Sequence, residues 1–274
     1  MRTHSPDERL RRASSFDEDA ERYDRARPTY PAELFSRLWQ LAQLGDSPDV
    51  AEIGCGTGQA SLSLAERGAR LICVELGANM AAVARRNLAS YPSARVVVSK
   101  FEDWDAGGET VDLVFAAASW HWIQPDARYE KAASTLRSGG HMAVVHSEHV
   151  YPEGFDPLYL SIQDVYGEVT GSRKHVAVQE MPKFGELDSL DLEHIAEMER
   201  TGGFQPPIVE RFLWHFDRTA DGYVDLLGTY SDHWALEPDK RAHLFEGIHR
   251  VIAESPTGSI RKHYLTSLRL ARRR

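Results

Sequence analysis

An α/β fold built on a doubly wound, mostly parallel sheet of about seven strands is what three features of this sequence predict. Apolar runs alternate with helical patterns from Val50 to His149. The runs are almost continuously apolar, as strands covered on both faces are, where half-exposed strands would alternate. A cluster of glycines, Gly54, Gly56 and Gly58, stands where the first run gives way to the first helical pattern. Closely spaced glycines at such a point let the backbone turn sharply and bring its N–H groups close to a ligand.

In chain order, "VAEIG", "RLICVEL", "ARVVVSKF", "VDLVFAAA" and "HMAVVHS" read as strands. Between them, "GQASLSLAERG", "NMAAVARRNLASYP" and "PDARYEKAASTLRSGG" read as helices that cover both faces of the sheet. After His149 the rhythm changes: "YPEGFDPLYLSIQDVYGEVTG" and "LDLEHIAEMERTGG" suggest helices with no buried strand between them. "PIVERFLWHF" and "RKHYLTSLRL" then supply two further strands, separated by helices around "DGYVDLLGTYSDHW" and "DKRAHLFEGIHRVIAES". A single domain over residues 1–274 is expected. Its parts are an N-terminal lid segment (1–31), a cofactor-binding core (32–150), a helical insertion or lid (151–204) and the strands and helices that complete the sheet (205–274).

Composition narrows the function classes. With 42% hydrophobic and 27% charged residues the chain reads as globular. No window approaches the roughly 20 apolar residues of a bilayer span, so a soluble, cytoplasmic protein is expected. Cys55 and Cys73 show no metal-binding or disulfide spacing. The formal charge of −9 argues against affinity resting on nucleic-acid phosphates, although "RKHYLTSLRLARRR" at the end is locally basic.

The loop Gly54–Cys55–Gly56–Thr57–Gly58 suggests a nucleotide-type ligand, and Glu75, 21 residues after Gly54, ends the second strand. A doubly wound fold places a carboxylate there to accept hydrogen bonds from both ribose hydroxyls. Dinucleotide-binding enzymes share that geometry. Their G-x-G-x-x-G pattern is not met, since Gln59 takes the sixth position and an acid, Glu52, precedes the loop.

With "AEIGCGTG", "VELGANM", "FEDW" and "LRSGG" in this order, residues from Phe16 to His149 resemble the class I S-adenosylmethionine-dependent methyltransferases, which have a Rossmann-like sheet. The resemblance implies S-adenosyl-L-methionine as cofactor and S-adenosyl-L-homocysteine as product. It implies that Gly54, Gly56 and Gly58, with Thr57 among them, wrap the methionine part, and that Glu75 holds the ribose. Leu76 and Met80 would lie beside the adenosine, and Phe101 and Glu102 would contact the adenine. The family commonly has proline where Ser138 stands, at a turn that touches no chemistry. A sulfonium is attracted to aromatic faces by roughly 0.5–2 kcal/mol, and Tyr23, Tyr30 and Trp120 are candidates for that role.

Ligands of open α/β sheets sit outside the carboxyl ends of the strands. The fourth strand delivers "AAASWHW" there: small residues from Ala116 to Ala118 permit close approach, and the Ala117 carbonyl is available to the cofactor's ammonium. The segment resembles that of small-molecule methyltransferases of the trans-aconitate, quinone-precursor and natural-product type. That makes His121 the candidate catalytic residue, as a general base or as a donor that orients the acceptor; a core histidine is the alternative. Trp120, Trp122 and Tyr30 are candidates for acceptor contact. "FDEDAERYDRARPTYP" resembles the segment that closes over the cofactor in these enzymes, which nominates Tyr23 and Arg27. Tyr230 is a candidate to reach the acceptor, while a core stripe of Tyr223, Leu226, Leu227 and Tyr230 explains the same pattern.

No metal is expected. Alternation along a strand sends His146 and His149 of "HSEH" to opposite faces. The expected partner is a small-molecule methyl acceptor, not nucleic acid or a membrane. An RNA or protein methyltransferase and an inactive cofactor-binding module are the other readings.

Overall fold

A computed structural model describes Ser14, residues 16–171 and residues 188–274. The remaining parts of the expected lid segments, in 1–31 and 151–204, lie outside the described residues. Seven strands form one sheet in the order β3-β2-β1-β4-β5-β7-β6. They are β1 (Asp49–Ile53), β2 (Arg70–Glu75), β3 (Ala94–Val98), β4 (Val111–Ala117), β5 (Leu136–His149), β6 (Ile208–Thr219) and β7 (Ser259–Arg272). β1 to β5 pair in parallel, and β7 runs antiparallel to both β5 and β6. The mostly parallel, doubly wound sheet is thus as the sequence predicts, with an antiparallel edge.

The central strands β1, β2 and β4 are apolar on both faces because both are covered. Val50, Leu71, Leu113 and Phe115 face a layer containing Leu34, Phe35 and Leu38 of α2 (Ala32–Leu41) and Leu64 of α3 (Gln59–Ala65). Their neighbours Ala51, Ile72, Val74, Val114 and Ala116 face the opposite layer, with Trp104, Trp120 and Tyr129. The two sets alternate residue by residue, as a strand's period of two requires.

Eight further α-helices belong to the described residues: α1 (Ala20–Ala26), α4 (Ala78–Asn87), α5 (Pro125–Thr135), α6 (Leu158–Thr170), α7 (Ser189–Thr201), α8 (Ala220–Leu227), the short α9 (Ser231–Trp234) and α10 (Pro238–Ala253). α6, α8 and α10 bury Tyr159, Ile162, Tyr223, Leu227, Leu244 and Ile248 in a smaller core of their own. α7 is anchored by buried charge: Asp188 caps it, and Asp191 pairs with both Arg211 of β6 and Arg269 of β7. One expected boundary is corrected. α5 stops at Thr135 and "LRSGG" opens β5, because Leu136 already has extended backbone (φ −77°, ψ 145°), at a point where the β4–β5 register is irregular.

β5 and β7 are 14 residues long and β6 is 12, whereas β1 has 5. The excess pairs on beyond the ends of the central strands, from His146↔Ser267 to His149↔Tyr264. This ribbon forms one wall of the cavity described below.

Candidate active site

The sheet order reverses between β1 and β4, so the chain leaves these two neighbouring strands in opposite directions and opens a crevice at their carboxyl ends. A cavity of about 820 Å³ lies there, within the range of roughly 300–1,000 Å³ usual for ligand sites.

At one end is the loop after β1. Gly54, Gly56 and Gly58 all adopt left-handed φ, at 67°, 61° and 100°. A Cβ on Gly54 would lie 2.5 Å from Cβ of Ser119, so this glycine lets the β1 and β4 exits pack together. The Ser119 hydroxyl donates to the Ile53 carbonyl across the same contact. The Gly56 N–H donates to Oε2 of Glu75 at 2.8 Å, and the Gly77 N–H donates to Oε1 at 2.9 Å. Glu75 is thereby clamped at the mouth of the loop, with lone pairs left on both oxygens. Burial raises its pKa above the usual carboxylate range, against the opposing pull of the Gly77, Gly56 and Leu76 N–H groups.

Glu52 lies beneath the loop, outside the cavity, and accepts from the Ser61 hydroxyl at 2.5 Å. Burial pushes its pKa up to about 8, with the Ser61 bond opposing and the Glu75 charge reinforcing the shift. It therefore holds α3 to β1 as a mainly protonated acid near neutral pH.

The N-terminal segment closes the same end. The Asp17 carboxylate accepts from the Met80 N–H at 2.8 Å, at the first turn of α4, where a helix favours an anion. The Phe16 ring packs edge-on against Tyr23 and Trp122 at 5.9 and 5.8 Å.

β4 leaves the sheet through Ala118, a non-glycine residue with φ of 54°. Left-handed backbone outside glycine costs on the order of 1–3 kcal/mol and clusters at functional sites. It leads into a single 3₁₀ turn, Trp120–Trp122. With three residues per turn, the three side chains point in three directions. Trp120 is 2% exposed and packs into the core against Phe101 and Tyr129, whereas His121 and Trp122 line the cavity. Trp120 is thus corrected from an acceptor or sulfonium contact to a core residue.

The His121 ring lies 4.5 Å from that of Trp122, tilted by 47°, and meets His146 edge-on at 6.3 Å. Burial, with His146 and Arg128 adding to it, lowers its pKa to about 3. A neutral imidazole of that weak basicity suits hydrogen bonding to an acceptor better than taking its proton.

The other end of the cavity is a wall of phenols and two cations. Arg27 donates from Nε to the Thr229 hydroxyl and from Nη2 to the Thr229 carbonyl, both at 2.9 Å, and lies 4.5 Å over the Tyr230 ring. Lys262 donates to the Tyr230 hydroxyl at 3.1 Å, and that hydroxyl lies 2.9 Å from the Tyr264 hydroxyl. Tyr230 stands between α8 and α9, packs against the core that holds Tyr223 and Leu227, and lines the cavity together with them.

Of the residues expected at the cofactor, Gly54, Gly56, Glu75, Leu76, Met80, Phe101, Glu102, Ala117, Tyr23 and Arg27 all line this one cavity. Two do not. Thr57 is fully buried, its hydroxyl accepting from Gln59 and its carbonyl from Asn87, and Gly58 turns toward Ala84 of α4; both shape the loop from behind. Arg27 is held among Thr229, Tyr230 and Tyr23 rather than against the glycine loop. Tyr30, Trp122 and Tyr230, the candidates for acceptor contact, line the cavity.

Lys262, Tyr264, His146 and Gln59 also line it, and sequence reasoning missed them in this role. The alternation Lys262-x-Tyr264 within a predicted strand was the available signal, since it puts both side chains on one face. His146 and Glu148 do come together, at 3.6 Å, while the His149 ring packs on Tyr151 and Tyr159.

Residues 50–140 match the family model described as a methyltransferase domain. This stretch is similar to a methyltransferase domain. An uncharacterized methyltransferase of Mycobacterium tuberculosis is 31% identical over 131 residues, 48% of this chain and 51% of that protein. A trans-aconitate 2-methyltransferase of Delftia acidovorans is 32% identical over 126 residues, 44% of each chain. The chain therefore spans about half the length of the curated relatives it matches. The solved structure of a "Putative Type II Methyltransferase" from Anaeromyxobacter dehalogenans is similar over 90% of this chain and 97% of that one, at 25% identity and a TM-score of 0.58. The matched residues contain the glycine loop, Glu75, Phe101, Glu102 and His121. His146, Tyr230, Lys262 and Tyr264 lie beyond the matched residues.

Proposed function

We propose that the protein transfers a methyl group from S-adenosyl-L-methionine to a small organic acceptor by in-line displacement. The observation that carries this reading is the Glu75 clamp: a carboxylate held by Gly56 and Gly77, facing the same cavity as His121 and the tyrosine wall. The donor set fits the cofactor. Glu75 has free lone pairs for two ribose hydroxyls, and Leu76, Met80 and Phe101 offer apolar faces to an adenine. Tyr23, within reach of Gly56, offers an aromatic face to a sulfonium. When bound, the cofactor supplies an electrophilic methyl group with a good leaving group behind it.

The chain's own contribution is positioning and dryness. Holding acceptor and donor at near-attack distance in one cavity supplies much of the barrier reduction. Phe16 and Tyr23 cover the site from the N-terminal segment, and the left-handed Ala118 turns the backbone out so that His121 points at the acceptor end. His121 holds the acceptor in line as a neutral hydrogen-bonding group. The acceptor end is walled by β5, β6, β7 and α6 side chains, which favours a small molecule over a polymer. The relative named as a trans-aconitate 2-methyltransferase supports a small acceptor.

Calorimetry tests the cofactor: S-adenosyl-L-homocysteine should bind, and preferential binding of NAD would overturn the reading. Transfer of labelled methyl over pooled small metabolites tests the acceptor class; transfer only to RNA or protein would refute it, and no transfer to any acceptor would leave a binding module.

A further inference from the structure

We propose that the tyrosine-walled end of the cavity is an oxyanion subsite, in which Lys262 and Arg27 hold a negatively charged group of the acceptor. The proposal deepens the methyltransferase reading and rests on it for the word acceptor. It rests on geometry for the site itself.

Lys262 is 3% exposed, on β7, and it lines the cavity. An ammonium withdrawn from water is costly unless paired. Among the described residues no carboxylate lies within ion-pair distance of Lys262 or of Arg27, although the chain carries a formal charge of −9. Four of the described acids line the cavity, and none of them pairs with either cation: Glu75 accepts from Gly56 and Gly77, Glu102 accepts from the Gln124 N–H, Asp232 lies 3.0 Å from Nδ1 of His233, and Asp103 follows Glu102 in the chain. What Lys262 has instead is aromatic. Its Nζ lies 5.5, 5.1 and 5.2 Å from the ring centres of Tyr223, Tyr230 and Tyr264, and it donates a single hydrogen bond, to the Tyr230 hydroxyl.

An ammonium has three donors, and this one uses one of them on protein. Arg27 has five N–H donors, of which two are spent on Thr229. Both cations flank the same phenol, Tyr230. Burial raises the pKa of that phenol, yet the charges of Lys262 and Arg27 pull it below the usual tyrosine value, which marks the potential there as positive. A pocket with a positive potential, unspent N–H donors and two phenolic hydroxyls is complementary to a carboxylate or phosphate oxygen. The rings around it exclude water, which strengthens the pairing. Bound there, the charged group would fix one end of the acceptor and leave its nucleophilic atom toward His121 and the cofactor end.

The test is thermal unfolding of the full chain, with and without saturating S-adenosyl-L-homocysteine. The probes are succinate, tricarballylate and glycerol 3-phosphate, with succinamide as the uncharged control. A concentration-dependent rise in Tm with carboxylates or with the phosphate ester, and none with the amide, is expected; which probe acts tells the two oxyanion sources apart. Lys262→Met should weaken the effective probe by roughly thirtyfold or more, as loss of one buried partner does, while the shift caused by S-adenosyl-L-homocysteine persists. Lys262→Arg should retain discrimination between charged and amide probes. Equal response to charged and amide probes in the unaltered protein overturns the proposal, and so does an undiminished oxyanion shift in Lys262→Met. Failure of S-adenosyl-L-homocysteine to shift Tm, with the oxyanion effect intact, would instead overturn the methyltransferase reading and leave the anion subsite standing.

Discussion

Replacing Glu75 by glutamine changes a single atom's chemistry at the centre of the proposed cofactor site. In the structure one carboxylate oxygen accepts from Gly56 and the other from Gly77, at 2.8 and 2.9 Å. An amide offers an oxygen to only one of them and sets an NH₂ against the other. One backbone N–H then loses its acceptor, and one ribose hydroxyl loses a charged partner. Hydrogen bonds to charged groups contribute roughly 1.5–3 kcal/mol each. Taking one such bond as lost on binding, at about 3 kcal/mol, cofactor affinity falls by about 150-fold, since 1.4 kcal/mol is tenfold. Isothermal titration with S-adenosyl-L-homocysteine measures this directly, with circular dichroism as a check that Glu75→Gln is folded. An affinity within threefold of the unaltered protein would refute the assignment of Glu75 to the ribose.

Other outcomes follow from the same geometry. His121, with its pKa lowered to about 3, is neutral above pH 5; His121→Ala should reduce turnover roughly 10- to 100-fold with little change in cofactor affinity. An inflection near pH 6.5 in the rate profile that vanishes in this variant would show it to be a base. Glu52 has its folded pKa raised from 4.5 to about 8, so the folded state binds the proton more tightly than the unfolded chain does. Its contribution is fully present below pH 4.5 and is lost as pH rises toward 8. Glu52→Gln should therefore flatten the decline of stability across that window in urea titrations, and an unchanged slope would sink the idea. Trp120→Ala should cost about 3–5 kcal/mol of stability as a core truncation, whereas Trp122→Ala should cost far less and act on the acceptor's KM. Equal stability losses in the two variants would contradict the division of the 3₁₀ turn.

Much of the geometry at the proposed cofactor end was legible in the sequence because its determinants are local. A glycine loop between a strand and a helix, and a carboxylate at the end of the next strand, are set by short stretches of chain whose backbone conformation the residues themselves impose. The individual roles were less legible. Gly54 reads as room for a ligand, yet the contact that forbids a side chain there is with Ser119, 65 residues on. Thr57 sits between two glycines and still turns inward, because the left-handed residues on either side rotate its side chain beneath the loop.

The acceptor end follows a different rule. Arg27, Tyr230 and the pair Lys262 and Tyr264 are far apart in the chain, and only the pair carries a spacing that a pattern can show. Their meeting depends on the antiparallel insertion of β7 between β5 and β6, and on those three strands running past the ends of the others. In the opposite register or on a shorter strand, Lys262 would be one more surface charge.

The sequence by itself therefore determined the layered α/β class, the strand and helix order and the glycine loop and acid of the proposed cofactor end, because periodicity and backbone preference act over a few residues. Only the tertiary structure decided that Trp120 is core while His121 and Trp122 face the cavity, and that two cations share one cage of phenols. Those outcomes depend on which face of each element is buried and on pairings between distant strands, and burial is a property of the packed molecule, not of any segment.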